Sequence, residues 1–214
     1  MVNQPSPAMH TNSRRRPGGR TADVTARVHR AIIDLIVERG VEACTFTAVA
    51  ERAGIERSTL YRRFPDRWEA IIDAWMARAA EDVMPDFADS FAHDLASVLR
   101  KLRDTLESPL GPALLTVAAA LRTGSGKDHP KSYFDRRMAQ LDPMFDAAIA
   151  RGELPADVDR DELFSFAAGP VWFRTFVSGR GADDSFIHSL VESVCWLYCS
   201  RSAGAKVPLP ARIA

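Results

Sequence analysis

The sequence predicts an all-α protein in which a small three-helix head precedes a larger helical body, about nine helices in all. Three observations carry that reading. Apolar residues recur every three or four positions through most of the chain, and no stretch alternates as a half-buried strand would. The periodic runs open on capping residues and close on Gly or Pro. Residues 45–64, TFTAVAERAGIERSTLYRRF, read as two short helices around a tight turn at Gly54, the layout of a helix-turn-helix.

The elements follow in order. Residues 1–20 hold Pro5, Pro7, Pro17, Gly18 and Gly19 with almost nothing apolar, which predicts a disordered arm made basic by Arg14, Arg15, Arg16 and Arg20. A helix over about 21–39 shows Val24, Val28, Ile32, Leu35 and Ile36 on one face, and Gly40 ends it. The helix-turn-helix comes next. A fourth helix opens on Asp66 with Glu69 three residues on, an Asp version of the capping box. Its apolar face is Trp68, Ile71, Ile72 and Trp75, and Pro85 marks its end. A helix over about 89–108 turns Phe91, Leu95, Val98, Leu99, Leu102 and Leu106 inward. Pro109 and Pro112 start another, whose run 113–121 is almost wholly apolar and therefore central. A polar loop, 124–130, leads to a helix over about 131–151 that stops at Gly152. Asp159 and Glu162 make a second capping pair before a helix to about 177, which Gly169-Pro170 should kink. After a turn at 179–181, Asp183 opens a last helix to about 200. The expected domains are the arm 1–20, a head 21–66, a body 67–202 and a flexible tail 203–214 containing Pro208 and Pro210.

The motif itself can be argued residue by residue. Val49, Ala53, Ile55 and Leu60 are spaced to lie between two crossing helices, and Ala50 is small where the second helix comes close. Gly54 follows the first helix, where a left-handed residue suits glycine. The Thr45 hydroxyl can cap that helix. On the second helix Leu60 and Phe64, four apart, face in, which turns Arg57, Ser58, Tyr61 and Arg62 outward. Arginine can bond guanine O6 and N7 in a major groove, and tyrosine or threonine can touch a thymine methyl or a phosphate. The plainer alternative is an αα-corner with a solvated polar face.

Residues of about 20 to 75 resemble the DNA-binding domain of the TetR family of transcriptional regulators. The resemblance is carried by Phe46, Val49, Ala50, Ala53-Gly54-Ile55, Ser58-Thr59-Leu60-Tyr61, Phe64 and the basic Arg67, where the family more often has lysine. It implies contacts to double-stranded DNA from Thr47, Arg57, Ser58, Thr59, Tyr61 and Arg62. Thr45 joins these candidates, and Arg67 with the Tyr61 hydroxyl would clamp phosphates. Arg14, Arg15, Arg16 and Arg20 could track phosphates or enter the minor groove, or serve only as a solubilising tail.

The same resemblance implies a homodimer on a palindromic operator, built from the last two helices. Leu163, Phe166, Phe173, Phe186, Leu190, Val194 and Leu197 supply candidate interface side chains, part of which must be internal core. It also implies that a small apolar or aromatic ligand enters the body and releases the DNA. The lining candidates are Trp75, Phe87, Leu115, Phe134, Met138, Phe145 and Trp172. The expected function is sequence-specific transcriptional regulation, most readily repression. A ligand-independent architectural DNA binder or an activator is the alternative.

Composition bounds the rest. Lys+Arg and Asp+Glu are 28 each, yet residues 1–70 carry 12 basic and 8 acidic residues, so the basic part is the part with the helix-turn-helix. Cys44, Cys195 and Cys199 make no even disulfide framework and no metal set, so buried free thiols and no cofactor are expected. No run is long enough to span a bilayer and no apolar segment follows the N-terminal arginines, which places the expected protein in the cytoplasm. Among the histidines, the adjacent pair His93-Asp94 has no placed nucleophile; there is no phosphate-cradling glycine loop. Catalysis is not expected.

Overall fold

A computed structural model describes residues 18–83, 90–123, 126–127 and 129–199. Nine α-helices and no strand are found among them. They are α1 Gly18–Arg39, α2 Phe46–Ala53, α3 Arg57–Arg63, α4 Arg67–Val83, α5 Phe91–Glu107, α6 Leu110–Thr123, α7 Pro130–Ala150, α8 Arg160–Trp172 and α9 Asp184–Tyr198. No described helix is long and apolar enough to cross a membrane.

The head is α1 to α3, and its apolar residues close on one another. Val28, Ile32, Leu35 and Ile36 of α1 are buried with Phe46, Val49, Ala50 and Ala53 of α2 and with Leu60 and Phe64. Local chemistry sets the turns. The Thr45 hydroxyl accepts from the Ala48 N–H at 3.2 Å, starting α2. Gly54 ends it at φ 63° and ψ 45°, a left-handed conformation that a Cβ would strain, with its N–H on the Ala50 and Glu51 carbonyls. Arg27 of α1 also donates to the Ala53 carbonyl at 3.0 Å, tying α1 to the end of α2.

Helix α4 joins head to body. Asp66 Oδ1 accepts from the Trp68 and Glu69 N–H groups at 2.7 and 3.0 Å, which caps it. α4 packs along α1 on one side and against α5 and α7 on the other. Trp68, Ile71, Ile72 and Trp75 are buried there. Gly126 approaches the Trp68 indole so closely that a Cβ would lie 2.8 Å from the ring. Asp159 and Asp183 cap α8 and α9 through the Glu162 and Phe186 N–H groups.

The elements depart from expectation in four places. α1 begins at Gly18, so Arg20 belongs to its first turn rather than to an arm, while residues 1–17, with Arg14, Arg15 and Arg16, lie outside the described residues, as do 200–214. A short 3-10 turn, Val41–Ala43, links α1 to α2. α5 is capped by Ser90, whose hydroxyl accepts from His93 N–H. The Gly169-Pro170 helix does not simply bend. It ends as α-helix at Trp172 and continues as a π-helical stretch, Phe173–Ser178, with the Phe173 N–H shared between the Gly169 and Pro170 carbonyls. Pro170 brings no N–H to the Phe166 carbonyl, and the following turn widens to recover its bonds.

Of the three thiols only Cys44 is buried; Cys195 on α9 and Cys199 at its C-cap, one turn apart, are half-buried. Burial pushes the Cys44 thiol up to about 12, against a weaker pull from Arg67. The neutral thiol is the folded form, so its contribution is whole below the ordinary thiol pKa of ~8.5 and is lost as pH rises towards the folded value. Urea unfolding across that range should therefore show stability falling with pH, with a shallower fall in Cys44→Ala. Equal slopes in the two proteins would contradict the burial argument.

Candidate functional site

The face of α3 is built by its own core. Leu60 is 0% exposed and Phe64 is buried below it, so the helix cannot turn without losing both from the core. That orientation leaves Arg57, Ser58, Tyr61 and Arg62 exposed and Thr59 half-buried. Tyr61 is 59% exposed and is steadied edge-on by Phe46, ring centroids 4.9 Å apart. Arg57 lies over the Tyr61 ring at 5.5 Å and donates to the Thr47 hydroxyl at 3.1 Å. Thr47, Arg57 and Tyr61 thus form one connected polar patch across α2 and α3. Arg62 stands beside it on the exposed side, and Thr45 marks the start of α2. A short helix presenting guanidinium and hydroxyl groups from a rigid support can enter a major groove.

Arg67 is placed differently from the expected phosphate clamp. Its Nη2 is 2.6 Å from Glu42 Oε2, Nη1 reaches the Glu42 carbonyl at 3.4 Å, and its guanidinium lies 5.2 Å over the Trp68 ring. The side chain ties the start of α4 to the 3-10 turn, because Glu42 lies within reach across the head. Sequence reading had no sign of that pairing, 25 residues apart.

A cavity of about 330 Å³ opens in the body between α4, α5, α6, α7 and α8. Trp75, Phe134 and Trp172 line it, together with Leu102, Leu114, Tyr133, Arg137, Phe164 and Ala168. The other expected lining residues fall elsewhere. Leu115 is 43% exposed on the outer side of α6, and it is Leu114, one residue earlier, that faces the cavity. Phe145 is fully buried against Phe91, and Met138 is buried in the core. Phe87 lies outside the described residues. A one-residue step on a helix turns a side chain by about 100°, which the apolar run of α6 could not reveal.

The wall is apolar and aromatic but holds two arginines, Arg78 and Arg137, and no acidic side chain among its described residues. Burial lowers the pKa of the Arg137 guanidinium and raises that of the Tyr133 hydroxyl one turn away. Arg137 Nη1 donates to Gln140 Oε1 at 3.0 Å, and Gln140 Nε2 donates to the Met76 carbonyl of α4 at 2.9 Å. α7 grips α4 at two further points, His129 Nε2 with Asp66 Oδ2 at 3.1 Å and Arg136 Nη2 with Glu69 Oε2 at 2.5 Å. Glu69 thus serves this pairing, and only Asp66 does the capping.

The candidate interface residues divide. Leu163 and Val194 are 0% exposed and Leu190 is buried, so these belong to the chain's own core. Phe186 and Leu197 are half-buried. Phe166 and Phe173 are exposed, and so are Val177 and Trp196, which the candidate interface set omitted. Seven large apolar side chains are exposed among the described residues, and four of them lie on α8, its π-helical end and α9, which makes this the largest concentration of open apolar surface. No described group of His, Cys, Asp and Glu has a metal-holding arrangement.

Comparison with known proteins places this geometry. Residues 30–72 match the profile described as "Bacterial regulatory proteins, tetR family", and residues 84–194 match "Tetracyclin repressor-like, C-terminal domain". The chain is 25% identical over 169 residues to the uncharacterized HTH-type transcriptional regulator YdeS of Bacillus subtilis, covering 76% of this chain and 85% of that one. It is 27% identical to the HTH-type transcriptional regulator AqdR of Rhodococcus erythropolis, over 82% and 85% of the two chains. Among solved structures, the TetR family transcription regulator SCO0332 is 25% identical with a TM-score of 0.65, covering 81% of this chain and 97% of that one. The matched head holds the exposed α3 face, and the matched C-terminal part holds the cavity walls from α5 to α8 and most of the apolar α8–α9 face, while Trp75, Arg78 and Ala79 of α4 lie between the two matches. The chain belongs to the TetR family of DNA-binding transcriptional regulators.

Proposed function

We propose that the protein is a repressor that binds a palindromic operator as a homodimer and leaves it when a small apolar molecule fills the body cavity. The observation that carries the reading is the α3 face, with Leu60 and Phe64 holding Arg57, Ser58, Tyr61 and Arg62 outward. Arg57 and Arg62 read bases, while Thr45, Thr47, Ser58, Thr59 and Tyr61 supply shorter contacts to bases and phosphates. One head covers too little duplex for tight specific binding, and two on a twofold axis read half-sites about one helical turn or more apart. The uncovered Phe166, Phe173, Val177 and Trp196 suit a second copy of the same face. The protein works in the cytoplasm, where its DNA lies, and the reading assigns it no catalytic step.

Release follows from shared helices. α4 carries Trp75 on the cavity wall and is also the helix against which α1 of the head packs. α7 carries Tyr133, Phe134 and Arg137 on the cavity side and, with His129 at its N-cap, sets Arg136 and Gln140 against α4. A ligand that binds better when α4 and α7 are spread shifts the population towards heads misplaced for one operator.

Footprinting on DNA flanking the gene should show protection of a palindrome by the wild type, with base preference relaxed in Arg62→Ala by about 1–3 kcal/mol at the affected position. Binding without preference for any duplex would sink the reading. Because Arg67 is engaged by Glu42, Arg67→Ala should lower thermal stability and leave the salt slope of binding unchanged. A fall in that slope of about one unit would return Arg67 to a phosphate contact.

A further inference from the structure

The cavity is chemically lopsided, and the lopsidedness points to a ligand class. Four arginines of the body are held by carboxylates. Arg103 is bound by Asp104 and Asp184, Arg136 by Glu69, Arg151 by Glu153, and Arg160 by Asp142 and Asp146. Arg137 is more deeply desolvated than Arg103 or Arg160, yet its recorded hydrogen bond among the described residues goes to the neutral amide oxygen of Gln140. A guanidinium keeps its charge in any protein, so desolvating it beside an uncharged partner is unfavourable until an anion arrives. Its planar fork matches a carboxylate in two-point contact. No acidic side chain among the described wall residues competes for it.

The geometry points to an apolar carboxylic acid as the effector, its carboxylate on Arg137 and its hydrocarbon or aromatic body among Trp75, Phe134, Phe164 and Trp172. This rests on the cavity being the effector site, and it adds what the effector is. A cavity of about 330 Å³ sits at the small end of ligand sites, which run roughly from 300 to 1,000 Å³. The acid also has a route to the DNA head. A carboxylate on Arg137 competes with Gln140 for the guanidinium, and Gln140 is the side chain that holds the Met76 carbonyl of α4.

The test uses the full chain, with phenylbutyrate and octanoate set against their primary amides, which match them in size but carry no charge. Calorimetry should find each acid bound about tenfold or more tighter than its amide, the margin of a charge-assisted hydrogen bond. Arg137→Met should erase that preference and Arg137→Lys should keep part of it, so the claim survives if one variant folds poorly. The neutral fluorophore N-phenylnaphthylamine reports on the cavity independently. If it binds and acids and amides displace it equally, the cavity stands and the acid is refuted. The acid is likewise refuted if Arg137→Met retains the preference. If neither the fluorophore nor any acid or amide binds, the effector reading of the cavity falls together with the acid.

Discussion

The structure depends on α4 being held from two sides at once. On the head side its buried residues pack along α1. On the body side Asp66 is shared: one carboxylate oxygen caps α4 and the other meets His129. Arg136 and Gln140 repeat the grip about two and three turns further along α7. Surface ion pairs of this kind are worth about 0–1 kcal/mol each, while burying a large apolar side chain gives about 1.5–3. The apolar contacts therefore hold the two parts together, and the polar contacts choose the angle at which they meet. A contact that selects an angle at low cost is one that a ligand can reset.

The head applies the same division on a smaller scale. Leu60, Phe64 and Phe46 fix the rotation of α3, and the outward-facing groups follow from that rotation without an energetic demand of their own. The Arg57, Thr47 and Tyr61 contacts tie exposed side chains of α2 and α3 to one another, which lowers the ordering cost of meeting any partner. Arg27 on the Ala53 carbonyl and Arg67 on Glu42 brace the same unit from outside its core.

Local signals were legible in the chain and relationships between distant residues were not. The caps at Thr45, Asp66, Asp159 and Asp183 and the left-handed Gly54 each follow from a few neighbouring residues. The outward set on α3 follows from helical spacing against Leu60 and Phe64. The Glu42–Arg67 pair, the α7 grip on α4 and the meeting of Arg137 with an acid-free cavity each join elements whose packing angle no local pattern encodes. The mixed success among apolar residues has the same origin. Leu114 and Leu115, or Leu163 and Phe166, are equally apolar on paper, and only the packing decides which faces a cavity, a core or solvent. The π-helical turn after Pro170 went unseen because proline announces a disturbance without stating its form.

In the proposed release, the α7 grip on α4 sets the position of the DNA-binding head. Operator affinity of a His129→Ala, Arg136→Ala, Gln140→Ala triple variant tests it, since these side chains lie at the N-cap of α7 and on α7, outside the DNA-binding head. With the oligomeric state unchanged by sedimentation, operator binding should weaken about tenfold, because a looser head must be ordered on the DNA. Wild-type affinity in that variant would contradict it.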